Sequence, residues 1–193
     1  MRSLRLLGAS CVAVCLVACS SAPAGSPNDA SNADGGCTET DGGGSGSCTQ
    51  FVSCADLTTP SVSFAKDVLP IFNMSCGIGG QQCHGDPSVS KHTAQPYLGQ
   101  TGANDAAKVI AGIVGQSAAE DPQLNLVTAS DVKKSYLMHK VDGDACLFAT
   151  ACNATGNPLF KNCGIQMPFN AGSLDQAKRD TIRRWIAQGA KND

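Results

Sequence analysis

Hydrophobic residues recur at helical spacing in four segments of the chain, and few runs alternate as strands do. The first of these segments follows Ser63, a residue type that caps helices, and ends near Ser75. Pro70 should kink or restart this helix, because proline has no backbone N–H and its ring clashes with the preceding turn. The apolar positions are Phe64, Val68, Ile71 and Phe72.

Three further helices are predicted downstream. The second opens at Asp105 and stops at Gly115, and the third opens at Asp131. The last runs from about Leu174 to Gly189, with an acidic residue early and basic residues late, as the helix dipole favours. The apolar positions are Ala106, Val109, Ile110, Ile113 and Val114, then Val132, Tyr136 and Val141, then Ile182, Trp185 and Ile186. The pattern therefore predicts a mostly α-helical domain with long irregular connections.

Some individual positions carry expectations of their own. Trp185 is predicted to pack in the core against the first helix. His139, beside Met138 and Lys140, is predicted to lie on the surface. The basic residues of the last helix are predicted to form a solvated face rather than a docking patch, and these are Lys178, Arg179, Arg183 and Arg184.

The N-terminal segment predicts export and lipid attachment. Arg2 and Arg5 precede an apolar stretch that ends at Ala18 and is too short to span a bilayer, so residues 1–18 are interpreted as a signal peptide. Leu16-Val17-Ala18-Cys19 resembles the bacterial lipobox, which predicts a mature chain that begins at a lipidated Cys19. Ser20 after that cysteine favours the outer membrane. The alternative is a short apolar run with an incidental cysteine.

A composition change separates a tether from a domain. Residues 19–50 are rich in Ser, Gly and Asp and are predicted to be a flexible tether, with a root-mean-square reach of roughly 30 Å. Residues 51–193 have the size of one domain. Without Arg2 and Arg5 the 14 basic residues become 12 against 16 acidic ones, a balance of −4, and the basic residues are scattered. Nucleic acid is therefore not an expected partner.

The cysteine count predicts disulfides. Of the 11 cysteines, Cys11 and Cys15 leave with the signal and Cys19 takes lipid. The remaining eight are Cys37, Cys48, Cys54, Cys76, Cys83, Cys146, Cys152 and Cys163. An even set in an exported chain is typical of a disulfide framework. If Cys76 and Cys83 bond to each other or are both taken by a cofactor, three cysteines remain upstream of them and three downstream. Complete pairing of those six then requires at least one bridge between the upstream and downstream groups.

The segment from Cys76 to Gly85 carries the candidate chemistry. Cys83-His84 is the second half of a c-type haem attachment motif, but six residues separate Cys76 from Cys83 where the ordinary motif has two. The glycines of the spacer permit an outward bulge, and they equally permit a Cys76–Cys83 disulfide. A zinc site of Cys76, Cys83, His84 and His92 is a third interpretation, although an oxidising compartment favours disulfides over thiolate ligands.

An ordered set of sequence pieces carries a resemblance to a known family. The pieces are Ser63 to Phe72, Ser75-Cys76, Cys83-His84-Gly85, Ser135-Tyr136-Leu137 with Lys140-Val141, Gly164 to Pro168, and Ile182 to Ala190. From Ser63 to the C-terminus the chain resembles the cytochrome c-like domains of envelope proteins of myxobacteria and planctomycetes. In that family the first helix crosses the last, the attachment motif follows the first helix, and a Met-Pro loop supplies the second axial ligand.

The resemblance implies a role for each matching residue. Cys76 and Cys83 would be the thioether positions, His84 the proximal ligand of the haem iron, and Met167 the distal ligand. The residue-level alternatives are a core-filling Met167, and His92 or His139 as axial ligands.

The expected fold is therefore a mostly α, cytochrome c-like helical domain with long irregular, disulfide-stapled loops. The expected function is one-electron transfer in the cell envelope by a His/Met-ligated haem c, on a lipid anchor facing the periplasm or the surface, with a redox protein as partner. No catalytic triad pattern, phosphate-binding glycine loop or paired-carboxylate motif indicates an enzyme. The rival expectation is a haem-less, disulfide-stapled surface lipoprotein that acts as a binding or structural module.

Overall fold

The structure is a computed structural model that describes residues 37–40, 48–77, 83–86, 91–92, 95–100, 102–169 and 171–193. The predicted signal peptide, Cys19 and most of the predicted tether lie outside these residues, as do residues 78–82 of the cysteine spacer. The described part of the chain is rich in helix and has little strand. Residues 37–193 form one compact unit, so this unit begins before residue 51, where the composition change placed the domain boundary.

Short helices make up most of the regular structure. A π-helical turn at Phe64–Val68 leads directly into α1. The α-helices are α1 (Leu69–Ser75), α2 (Ala106–Ile113), α3 (Tyr136–Asp142), α4 (Ala149–Ala154) and α5 (Gln176–Ala187). Segments of 3₁₀ helix lie at Val132–Lys134, Ala145–Phe148 and Pro158–Cys163. Two short antiparallel strands, β1 (Lys91–His92) and β2 (Gln95–Pro96), pair Lys91 with Pro96 and His92 with Gln95.

The helix boundaries follow the local sequence signals. The Ser63 side chain accepts a hydrogen bond from the Lys66 backbone N–H and caps the first turn. Pro70 lies at the start of α1, next to the point where the π-helical turn gives way to α-helix. The Asp175 side chain caps α5 in the same way. The predicted helices near Ser63, Asp105, Asp131 and Leu174 are confirmed.

The first and last helical segments pack against each other. The Phe64 ring lies 4.8 Å from the Trp185 ring, measured between centroids, and both side chains are fully buried. The backbone N–H of Ala65 donates to the carbonyl of Asp193, so the C-terminus is fastened to the first helical turn. The prediction that Trp185 packs in the core against the first helix is confirmed.

A single apolar core lies among α1, α2, α3 and α5. Its most buried members besides Phe64 and Trp185 are Val68, Phe72, Val109, Ile113, Val127, Met138, Ile182 and Ile186. Six of these eight positions belong to the apolar faces that the helical periodicity predicted, whereas Val127 and Met138 were not among the predicted positions. No helix within the described ranges is long and apolar enough to cross a membrane.

Disulfides tie the irregular segments to this core. Within the part of the chain that the structure describes, the bonded pairs are Cys37–Cys54, Cys48–Cys146 and Cys152–Cys163. The Cys48–Cys146 bridge joins the upstream cysteines to the downstream group, as the parity of the cysteines predicts. Cys37 and Cys48, which composition assigned to the tether, are therefore held to the folded domain.

The prediction of a solvated basic face on α5 is wrong for two of its four residues. Arg179 and Arg183 are buried, whereas Lys178 is exposed. One Arg183 nitrogen lies 2.7 Å from each carboxylate oxygen of Asp142 on α3, and the Phe51 ring lies against both guanidinium groups. A buried partner on the neighbouring helix thus draws these two arginines inward, and no helical periodicity within α5 reveals that partner.

The surface prediction for His139 is also wrong. Its side chain is buried, with Nδ1 at 2.8 Å from the Asp144 carboxylate and Nε2 at 2.9 Å from the Lys133 carbonyl. The Phe148 ring packs edge-on against the imidazole. These polar partners satisfy the ring nitrogens, which is what allows a histidine to be buried.

Candidate functional site

The two ends of the cysteine spacer are held together by the backbone. Cys76 ends α1, and its carbonyl accepts a hydrogen bond of 3.0 Å from the His84 backbone N–H. Gly85 packs directly on the carbonyl of Gly77, and Gly77 packs on the carbonyl of Gly99, so a side chain at Gly77 or Gly85 would collide with backbone. The predicted bulge itself falls on residues outside the described part, but its closure between Cys76 and His84 is described.

The His84 imidazole is oriented by a backbone carbonyl. Its Nδ1 lies 2.7 Å from the Pro96 oxygen, and because a carbonyl only accepts hydrogen bonds, Nδ1 carries the proton. In a neutral ring the lone pair is then on Nε2. The Leu98 backbone N–H donates to the His84 carbonyl at 2.9 Å and fixes the same segment from the other side. This is the arrangement that prepares a histidine to bind a metal through Nε2.

His84 lines an apolar cavity together with Cys76 and Met167. The cavity is open to solvent at its mouth, and its lining is mostly apolar. The apolar lining residues are Phe72, Pro96, Leu98, Leu126, Leu137, Val141, Pro168, Leu174 and Ile182. A mostly apolar cavity with a few polar groups suits a largely hydrophobic ligand better than a polar one.

One wall of the cavity is charged. The Lys140 ammonium lies 3.0 Å from the Glu120 carboxylate and donates to the Cys163 carbonyl at 2.6 Å. The Tyr136 hydroxyl donates to the same Glu120 oxygen, Oε2, that accepts from Lys140. The carbonyl of Lys140 in turn accepts a 2.9 Å hydrogen bond from the Met167 backbone N–H. The same residue therefore joins the ion pair to the segment that carries Met167.

The surroundings shift the pKa values of His84, Cys76 and Tyr136, each in the direction that favours the neutral form. Burial lowers the pKa of His84, and the nearby Lys140 charge lowers it further against the opposing effect of the Pro96 hydrogen bond. Burial raises the pKa of the Cys76 thiol to about 12, with a smaller contribution from Cys83. Burial and the Glu120 hydrogen bond also raise the pKa of Tyr136. At neutral pH the cavity thus presents a neutral imidazole and a protonated thiol.

The structure brings most of the predicted site residues together. Cys76, His84 and Met167 line the same cavity, while Cys83 is not among the described lining residues. Cys76 and Cys83 are free thiols, in contrast to the alternative in which they form a disulfide. Met167 is half-buried, as suits a residue at a cavity wall.

The alternative ligands are placed differently. His139 lies outside the cavity lining, with both ring nitrogens already hydrogen-bonded. Of His92 the structure describes only the backbone, in β1. Within the described ranges no three His, Cys, Asp or Glu side chains group as ligands of a metal ion, so a multi-ligand zinc centre is not seen there.

Sequence reasoning missed the Pro96 carbonyl and the Glu120–Lys140 pair. The carbonyl is a backbone group that any residue supplies, so only the tertiary structure reveals it. Glu120 belongs to no motif. Tyr136 and Lys140 belong to one of the sequence pieces that resemble the cytochrome c-like family. Their four-residue spacing, which places them on one face of α3, could have indicated that they act together.

The donor set of this cavity fits an iron porphyrin. An imidazole whose Nε2 is bonded by no described residue, a thioether and a thiol line one apolar cavity, and these groups suit haem iron and the haem vinyl groups. No protein-family model, no curated protein sequence and no solved structure matches this chain. The site is therefore interpreted from its own geometry.

Proposed function

We propose that this chain is an envelope-anchored lipoprotein whose cytochrome c-like domain holds a c-type haem and carries single electrons to or from a redox protein. The observation that carries this proposal is the placement of His84. Its Nδ1 is hydrogen-bonded to the Pro96 carbonyl, no described residue bonds its Nε2, and it shares an apolar cavity with Met167 and Cys76.

Each residue has a defined task in this proposal. His84 would hold the iron through Nε2, Met167 would be the second axial ligand, and the free thiols at Cys76 and Cys83 are the candidates for covalent attachment. When bound, the haem supplies the couple between ferric and ferrous iron. The apolar lining excludes water, which disfavours the more highly charged ferric state, and the Met167 thioether acts in the same direction.

Optical spectra of protein from a host with a cytochrome c maturation system test the proposal. The reduced protein should show sharp α and β bands, because two strong-field axial ligands make the iron low-spin. His84→Ala should abolish these bands. Met167→Ala should retain haem but lower the potential and open the iron to added ligands.

Two control variants match these substitutions. His139→Gln changes a buried histidine outside the cavity, and Met74→Ala changes an exposed methionine on α1, so neither should alter the spectrum. A colourless protein from the maturation-competent host would contradict the electron-carrier proposal and favour the rival, a haem-less binding or structural module. Equal loss of the bands in His139→Gln would indicate that folding, not ligation, had been tested.

The proposed anchor is tested separately. Cys19 lies outside the described residues, and its lipidation rests on Leu16-Val17-Ala18-Cys19. Cys19→Ala should release the protein from the membrane fraction or leave the precursor uncut, and the wild-type N-terminal peptide should carry the mass of a diacylglyceryl group. An unmodified N-terminal peptide would contradict the anchor without touching the haem proposal.

A further inference from the structure

The two cysteines of the spacer have different surroundings. Cys76 packs against the hydrophobic core and lines the cavity with His84 and Met167. Cys83 is half-buried, and it belongs neither to that core nor to the cavity lining, as far as the described residues show. A symmetric attachment motif would bring both sulfurs to the ligand. Here, of the two cysteines, only Cys76 is among the described residues of the wall that a ligand would contact.

The helix explains why Cys76 faces the cavity. The Cys76 backbone N–H donates to the Phe72 carbonyl at 2.8 Å, so Cys76 completes the last turn of α1. Residues four apart share a helix face, and Phe72, which is 1% exposed, lines the same cavity. The position of Cys76 is therefore set by a regular element that does not depend on the length of the spacer that follows.

We propose that the haem is attached through a single thioether bond at Cys76 and that Cys83 remains a free thiol. This inference rests on the proposed haem function and specifies its covalent chemistry. The Cys76 S–H adds across one haem vinyl group: the S–H bond and the vinyl π bond break, an S–C bond forms, and the hydrogen goes to the other vinyl carbon. The addition is redox-neutral, and the second vinyl group stays intact.

A single bond at Cys76 also accounts for the unusual spacing. The ordinary motif needs two intervening residues because one short turn must present two sulfurs to two vinyl groups. With one sulfur fixed by α1 and the imidazole fixed by Pro96, the length of the spacer no longer has to satisfy that geometry. The hydrogen bond from His84 to the Cys76 carbonyl still keeps the attachment point next to the iron ligand.

Peptide mapping of the haem-loaded, full-length protein tests this inference. The protein is labelled with iodoacetamide under denaturing, non-reducing conditions, digested, and sequenced by mass spectrometry. We expect the haem mass on Cys76 and the carbamidomethyl label on Cys83. We also expect Cys83→Ala to keep haem that resists extraction with acidified acetone, and Cys76→Ala to lose all such haem.

The outcomes separate this inference from the function on which it rests. Haem on Cys83, haem on both cysteines, or haem that is bound without any covalent bond would overturn the single attachment and leave the electron-carrier proposal standing. Absence of haem, with Cys76 bonded to Cys83, would overturn both. Because the map is made on the wild-type protein, the result does not depend on either variant folding.

Discussion

His84 and His139 are two histidines whose surroundings act on their charge in opposite directions. Burial and the Lys140 charge lower the pKa of His84. Burial also disfavours charge on His139, but the Asp144 carboxylate and the Lys133 carbonyl face its two nitrogens and raise its pKa. Because both of these partners only accept hydrogen bonds, His139 makes both bonds only when it is protonated. Asp142 on α3 adds to the negative surroundings.

We therefore predict that the free energy of unfolding of the haem-free protein is greatest near the pKa of an unfolded histidine, about 6.5. The stabilisation from His139 is present below that pH and is lost as pH rises through its raised folded pKa. The effect of His84 has the opposite sign, since stability falls as pH drops from about 6.5 through its lowered folded pKa. Urea unfolding between pH 5 and 8, read by circular dichroism, measures both flanks.

Single variants show which histidine causes each side of the dependence of unfolding free energy on pH. His139→Gln should flatten the alkaline flank and cost about 1–3 kcal/mol at pH 6, because a buried carboxylate loses a hydrogen bond. His84→Gln should flatten the acidic flank between pH 5 and 6.5 and leave the alkaline one. An alkaline flank that persists in His139→Gln would show that the two acceptors do not hold a charged imidazole.

The Lys140–Glu120 pair leads to a prediction about the redox potential of the haem-loaded protein. Lys140→Gln removes a positive charge near His84 and should lower the potential, because ferric iron becomes less unfavourable; Glu120→Gln should raise it. An electrostatic change of about 1 kcal/mol equals roughly 40 mV for a one-electron couple. Spectroelectrochemistry at one fixed pH measures the shifts. Shifts of the same sign in both variants would indicate rearrangement of the cavity instead of a charge effect.

Among the elements, α3 and α5 are joined by a buried ionic contact. Asp142 on α3 accepts from Arg183 at 2.7 Å and lies 3.5 Å from Arg179, and the Phe51 ring covers both arginines. The periodicity of each helix predicted the elements themselves, because apolar residues at three- and four-residue intervals are a local signal. The pairing between Asp142 and Arg183 is not local, so the sequence contained no pattern that could reveal it.

We predict that Asp142→Leu destabilises the protein by about 3 kcal/mol, the lower end of the range for a broken buried ion pair. The variant removes the carboxylate that both buried arginines share, but Arg183 keeps its ion pair with Asp180. Adding Arg183→Met should recover part of this loss, since a buried ion pair replaced by apolar residues is often close to neutral. Urea unfolding of the two single variants and the double variant gives the coupling energy.

Lys178→Ala is the matched control on the same helix. It breaks the Asp175–Lys178 pair, whose side chains are 54% and 47% exposed, so it should change the free energy of unfolding by less than about 1 kcal/mol. For the main test, the contradicting outcome is that the losses of Asp142→Leu and Arg183→Met simply add in the double variant, with no recovery. That result would mean that Asp142 stabilises the protein through contacts other than those with the arginines.

For the whole molecule, the sequence predicted the helices and most site residues, but it did not predict which distant residues are brought into contact. The resemblance to cytochrome c-like domains predicts Cys76, His84 and Met167 as site residues, and the structure places the three around one cavity. The asymmetry between Cys76 and Cys83 was not predictable, because it depends on where α1 ends relative to the cavity. Cysteine parity predicted a bridge between distant groups, but it could not choose Cys48–Cys146 among the possible pairs.

The Cys48–Cys146 bridge should be the most stabilising of the described disulfides. It closes 98 residues of sequence, against 11 for Cys152–Cys163 and 17 for Cys37–Cys54. In the chain-entropy model the loss of such bridges costs about 5 kcal/mol for the longest loop and about 3 kcal/mol for the shortest, because a long loop restricts the unfolded chain more. We predict that Cys48→Ser with Cys146→Ser lowers the free energy of unfolding by about 2 kcal/mol more than Cys152→Ser with Cys163→Ser. Urea unfolding at equal pH measures the free energy of unfolding of both double variants, and non-reducing peptide maps verify that the remaining cysteines keep their partners.

Equal losses of stability would show that the upstream segment stays attached to the domain without the bridge. The hydrogen bond from the Phe51 backbone N–H to Asp144 and the stacking of Phe51 on Arg183 are contacts that could hold it.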